Sequence, residues 1–137
     1  MRIAKTDVSF IDGKGIAYVI YFQGCSFDCP GCHNPELQDF SGGYDVTVKQ
    51  ILSQIDEEFY DSVVFLGGEP LEQLNEVEYL ANNIGIEKWL YTGYDLLAIP
   101  ESVMRVMDVV VAGRYQEWLA TDGFPASSNQ QVYRRES

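Results

Sequence analysis

No stretch of this chain approaches the ~20 consecutive apolar residues that a membrane-spanning helix requires. The first residues, "MRIAKTDVSFIDGKG", have neither an apolar core nor a small-residue cleavage site. They read as mature protein, with a cytoplasmic location expected. Positive charge is scarce: 9 Lys and Arg stand against 21 Asp and Glu, giving a net charge of −12 and a pI of about 4.2. Such a surface repels nucleic acid and anionic membranes, so neither is expected as a partner. The acidic excess reads as a solvated surface; a basic partner or a high-salt habitat are the other readings. Internal repeats, low-complexity runs and linkers are missing. At 137 residues the chain fits one domain spanning 1–137 and is too short for two comfortable ones.

Cysteine is scarcer still, and all of it is in one place. Cys25, Cys29 and Cys32 lie within "GCSFDCPGCHNPE". Three cysteines cannot all pair within one chain, and this spacing is too tight for a disulfide scaffold. Clustered reduced thiols point to metal.

The rest of the chain punctuates into alternating elements. "RIAKTDVSFID" and "GIAYVIYFQG" read as strands, and the cysteine loop follows the second directly. "TVKQILSQIDEEF" reads as a helix with Thr47 and Gln50 at capping-box spacing and Val48, Ile51, Leu52, Ile55 and Phe59 on one face. "SVVFLGG" is a buried strand. "PLEQLNEVEYLANNIG" is a helix that Pro70 opens and Gly85 stops, with Leu71, Leu74, Val77, Leu80 and Ile84 as its apolar stripe. "KWLYTG" and "DVVVAG" are strands around a short helix, "PESVMRVM", and "SSNQQVYRR" offers a final strand. Apolar strands alternating with helices give an α/β fold of parallel βα units. The units are too few for a closed eight-stranded barrel, so a partial, open (βα) barrel with a mostly parallel sheet is expected. Gly24, Gly67, Gly68, Gly93 and Gly113 fall at strand ends, where sites form in such sheets.

Thiolates select zinc or iron–sulfur clusters. Structural zinc wants four ligands, and His33 directly follows Cys32, so both reaching one ion would need an awkward backbone. A four-iron cubane held by three thiolates leaves one iron without a protein ligand. That is a defect for pure electron transfer and an advantage if the open iron must hold a substrate.

Cys-x3-Cys-x2-Cys after the opening strands, with Gly67-Gly68-Glu69-Pro70 one βα unit later, resembles the radical S-adenosylmethionine (radical SAM) superfamily. The resemblance implies a partial barrel of that type and a [4Fe-4S] cluster on Cys25, Cys29 and Cys32, with SAM chelating the open iron. The reduced cluster would then cleave SAM to a 5′-deoxyadenosyl radical that abstracts hydrogen. It implies that Gly31, Cys32 and His33 run past the SAM adenine and that Gly67, Gly68 and Glu69 receive its amino end. Physically, glycines let a ligand approach bare backbone and Glu69 can accept from an amino group.

Within the superfamily, "FIDGKGIAYVIYFQGCSFDCPGCHNPEL", "LGGEPL", "WLYTGY", "DVVVAGRY" and "SSNQQVY" resemble the activating proteins of anaerobic (class III) ribonucleotide reductases. "DGKGIAY" stands where Pro-Gly-Ile-Arg is usual, and "FPASSNQ" lacks the glycine and basic residue that often precede the serines. The resemblance implies hydrogen abstraction from a glycine of the reductase, and an electron donor such as flavodoxin or ferredoxin. Two other functions stay open: a compact radical SAM enzyme acting on a small molecule, like the 7-carboxy-7-deazaguanine synthases, and an iron–sulfur or zinc binding module. Thr92 is read as a SAM contact or a plain strand end, Asn34 as a loop cap, Trp89 and Trp118 as core or interface aromatics, and Asp108 as structural.

Overall fold

The computed structural model describes residues 1–26 and 35–135. Cys29, Gly31, Cys32, His33 and Asn34 lie outside the described residues.

β-branched and aromatic runs form the strands, as their pattern predicts. Among the described residues there are seven: β1 (Arg2–Ser9), β2 (Ala17–Phe22), β3 (Tyr44–Asp45), β4 (Ser62–Gly67), β5 (Glu87–Thr92), β6 (Val109–Ala112) and β7 (Gln131–Arg134). They make one sheet in the order β3-β1-β2-β4-β5-β6-β7. The central four, β2, β4, β5 and β6, run parallel. The outer strands do not: β1 returns antiparallel on β2, β3 on β1, and β7 on β6. The expected α/β fold is found, while the pairing of the first two predicted strands is a hairpin rather than a βα unit. The connection from Phe10 to Ile16 is too short to hold the crossover that parallel strands require.

The register sorts the two faces of the sheet. Ile20, Phe65, Leu90 and Val110 align across the central strands and face the larger core. Three helices contribute to that core: α1 (Val48–Gln54), α2 (Leu74–Asn82) and α3 (Glu101–Met104). Val19, Val64, Trp89 and Val109 align one residue away and form the core of the opposite face. Each such fully buried aliphatic or aromatic side chain contributes about 1.5–3 kcal/mol.

All three helices are shorter than predicted, α3 covering only Glu101–Met104 of "PESVMRVM". The capping box at Thr47 forms, with Gln50 N–H donating to Thr47 Oγ1 and Thr47 N–H to Gln50 Oε1. The helix then stops at Gln54, because Asp56 starts a competing local turn: its backbone oxygen takes Phe59 N–H and Tyr60 N–H, and its carboxylate takes Glu58 N–H. Phe59, predicted on the helix's apolar face, is exposed and packs edge-on against Tyr60. The predicted helix from Pro70 divides into a 3₁₀ turn, Pro70–Gln73, and α2. Gln73 leaves helical geometry where its side-chain amide exchanges hydrogen bonds with both Arg2 N–H (2.8 Å) and Arg2 C=O (2.7 Å). Of the two tryptophans read as core or interface aromatics, Trp89 is in the core and Trp118 is 73 % exposed. Asp108 is structural: its carboxylate accepts from Lys88 N–H at 2.8 Å and from the Arg135 guanidinium at 2.7 Å. No helix among the described residues is long and apolar enough to cross a membrane.

Candidate functional site

A cavity of about 540 Å³ opens at the carboxyl ends of the parallel strands. Leu66 and Gly67 of β4, Tyr91 and Thr92 of β5, and Val111 of β6 line it, together with Cys25 just past β2. A second cavity of about 550 Å³ beside it, lined by Asp95, Leu97 and Asn129 among others, has neither a cysteine nor the Gly67–Glu69 turn among its described lining residues.

Cys25 is half-buried and is held by its backbone. Gly24 N–H donates to Leu37 C=O at 2.7 Å and Cys25 N–H to Gln38 C=O at 3.1 Å. The chain entering the cysteine loop is thereby paired with the chain leaving it. The Gly67–Glu69 turn rests on this pair: Gly68 N–H donates to Phe22 C=O and Glu69 N–H to Gly24 C=O, both at 2.8 Å.

That contact corrects the reason expected for the two glycines. Gly67 has φ +121°, and a side chain there would run into the Phe22 backbone. A Cβ on Gly68 would collide with Gly24 C=O and lie 2.7 Å from Leu37 C=O. The space that only glycine leaves open is filled by the β2 backbone at Gly67 and by the base of the cysteine loop at Gly68. Both glycines still line the cavity on their other side.

Glu69 is 1 % exposed and already has partners. Its Oε2 accepts from Leu71 N–H at 3.0 Å and Thr92 Oγ1 at 2.8 Å, and its Oε1 from Gly93 N–H at 2.6 Å. Of the four or so acceptor positions of a carboxylate, the described residues leave one, on Oε1, uncovered. Thr92, read from the sequence as a SAM contact or a plain strand end, is a clasp for Glu69. Burial pushes the Glu69 carboxyl up from 4.5 to about 7, outweighing the lowering by hydrogen bonds from Gly93, Leu71 and Thr92. Between about 4.5 and 7 the folded chain therefore keeps a proton that the unfolded chain releases. The stability of the metal-free protein should fall as pH rises through that window, by up to about 3 kcal/mol, and be lowest above it. Thermal unfolding followed from pH 5 to 8 is expected to give this downward slope, and Glu69→Gln, which cannot titrate, to remove it. An unchanged slope in the variant would assign the titration to another group.

The remaining walls come from two loops in which the sequence reading named no site residue. Tyr91 donates its hydroxyl to Asp12 C=O at 2.7 Å, which draws Ile11 and Asp12 to the cavity. Phe124 packs edge-on against Tyr91 from the opposite side, and Arg114 and Tyr115 complete that wall. "SSNQ" ties it down: Gln130 donates to Gly113 C=O and accepts from Ser127 N–H, Ser127 Oγ accepts from Gln116 N–H, and Asn129 donates to Arg114 C=O. The motif's distinctiveness was legible; its clamping task was not, since its partners lie up to 17 residues away.

The cavity has the size of small-molecule and cofactor sites, roughly 300–1,000 Å³, and their make-up of apolar walls with a few convergent polar groups. A thiol at its edge, a buried carboxylate with one open acceptor position and a backbone turn facing inward suit an iron–sulfur cluster together with an amino-bearing ligand.

The family described as "4Fe-4S single cluster domain" matches residues 11–133. The chain is 28 % identical to the anaerobic ribonucleoside-triphosphate reductase-activating protein of Enterobacteria phage T4, over 90 % of this chain and 87 % of that one. It is equally similar, at 28 %, to the protein of that name in Escherichia coli K12, over 92 % and 93 %. With the pyruvate formate-lyase-activating enzyme of Clostridium pasteurianum it shares 30 % identity over 76 % of this chain, which spans about half (48 %) of that longer protein.

Proposed function

The chain belongs to the 4Fe-4S single cluster domain family, and on that premise we propose that it is a radical SAM activase, one domain over residues 1–137, that generates a glycyl radical on an anaerobic ribonucleotide reductase. The observation that carries the reading is the pairing of Gly68 N–H with Phe22 C=O and of Glu69 N–H with Gly24 C=O, which puts the Gly67–Glu69 turn and Cys25 at one cavity and supports reading the first as the amino-binding loop and the second as a cluster ligand. The proportions support it too: relatives named for activating that reductase match this chain over almost their whole length.

Cys25, Cys29 and Cys32 would hold the cluster, and Glu69, with the backbone of Gly67 and Gly68, the amino end of SAM. Gly31 and His33 would run past its adenine. When bound, cluster and SAM would supply the hydrogen-abstracting radical chemistry, and a flavodoxin- or ferredoxin-like donor would supply the electron. The chain's own task is to position and to exclude water. The apolar walls at Leu66, Val111 and Phe124 serve the second purpose. The sheet, with its parallel centre, is read as a partial radical SAM barrel whose inner face is the Val19–Val64–Trp89–Val109 row.

Anaerobic reconstitution should give close to four irons per chain, and SAM with a reductant should then yield 5′-deoxyadenosine. Cys→Ala at 25, 29 or 32 should abolish both. One tightly bound zinc and no reconstitutable cluster would defeat the proposal.

A further inference from the structure

We propose that Gln23 is a positioning residue for the cluster: its buried amide closes the base of the cysteine loop and sets Cys25 before iron arrives. The inference rests on the reading of that loop as a cluster site and needs nothing of the partner protein.

Gln23 directly follows β2 and is 5 % exposed. Its Nε2 donates both protons to the chain that returns from the loop, to Glu36 C=O at 3.1 Å and Asp39 C=O at 2.6 Å. The next two residues continue the joint through Gly24 N–H and Cys25 N–H to Leu37 and Gln38 C=O. The Gln23 backbone is fixed as well: its N–H donates to Arg2 C=O at 3.2 Å, and its C=O receives Gln73 Nε2 at 3.4 Å. Arg2 reinforces the returning segment from the other side, donating from Nε to Gly42 C=O at 2.6 Å.

The residue type suits the task. Two carbonyl oxygens need two donors from one side chain, without a charge to bury. A primary amide supplies both. Glutamate would set acceptors against acceptors, and lysine or arginine would bring a cation into a buried place beside the cluster. A loop whose ends are joined in advance loses less freedom when its thiolates are drawn onto one cluster, so iron is held more tightly.

The test compares wild type with Gln23→Ala and Gln23→Met, the second keeping the length and apolar stem while removing the amide. Each is reconstituted anaerobically and exposed to a ferrous chelator, with iron release followed by absorbance. The electron paramagnetic resonance spectrum of the reduced cluster is recorded with and without SAM. Both variants are expected to lose iron roughly tenfold faster, the factor for two lost hydrogen bonds, and to give a broadened spectrum. The control is Ser62→Ala. Ser62 is equally buried and donates to Lys14 C=O at 2.8 Å, but it lies at the opposite end of β4. It should lower thermal stability without changing iron release. Wild-type iron release in both Gln23 variants, or acceleration of the same size in Ser62→Ala, would overturn the inference. A wild-type chain that takes up no cluster would overturn the reading beneath it instead.

Discussion

Gly68→Val is expected to abolish cluster retention and SAM cleavage together, instead of weakening SAM binding alone. The cause is steric and lies in the backbone. The first atom of any side chain at position 68 meets Gly24 C=O and Leu37 C=O, and neither can swing aside as a flexible side-chain tip would. Those two carbonyls belong to the joint that closes the cysteine loop, through Gly24 N–H to Leu37 C=O and Glu69 N–H to Gly24 C=O. Forcing the turn away from the loop breaks the second bond and strains the first. Overpacking of this kind costs about 1–3 kcal/mol in an ordinary core, and here it falls on the segment that carries the thiolates. Iron per chain after anaerobic reconstitution should drop to a small fraction of the wild-type value, while circular dichroism reports a folded sheet. Gly85→Ala should retain its iron, because the atom in its way is the tip of the Glu57 side chain. A Gly68→Val protein with a full cluster and only SAM affinity lost would mean that Gly68 faces the ligand and not the loop.

That revision marks the limit of what the sequence alone carries. The motifs were legible because their chemistry is local: thiolates with three and two residues between them, and a glycine pair closing a strand. What packs against a glycine is a tertiary fact. Gly68 reads from the sequence as room for a ligand, and the structure fills that room with Leu37 and Gly24. The parallel centre of the sheet was legible from apolar runs such as "SVVFLG". The antiparallel β1 was obscured because a β-rich run does not reveal its direction, and only the short connection to β2 decides it. Helix α1 ended early because Asp56 offered its own oxygens to the next turn, which outweighed the apolar spacing that reached Phe59. Gln23 left no signal at all. A glutamine after a strand reads as a surface residue, and its buried clamp depends on Glu36 and Asp39 returning beside it.

The second large effect is all or none, and it concerns the product. The cavity opens between two loops whose apolar side chains stand in solvent, Ile11 at 89 % exposure and Phe124 at 51 %. A reactive radical must be kept from water, so the account requires the substrate protein to complete the chamber by inserting the segment that carries its glycine. A glycine is apt because the radical left at its Cα is delocalised into both flanking peptide groups. The most direct measurement is electron paramagnetic resonance on the cluster-loaded chain mixed with its cognate anaerobic reductase, SAM and a reductant. The account predicts a glycyl-radical doublet, split by the remaining α-hydrogen. The doublet should be absent when any one component is omitted and lost when the target glycine of the reductase is replaced by alanine. No doublet with that reductase, while SAM is consumed in stoichiometric conversion of a small molecule, would contradict it.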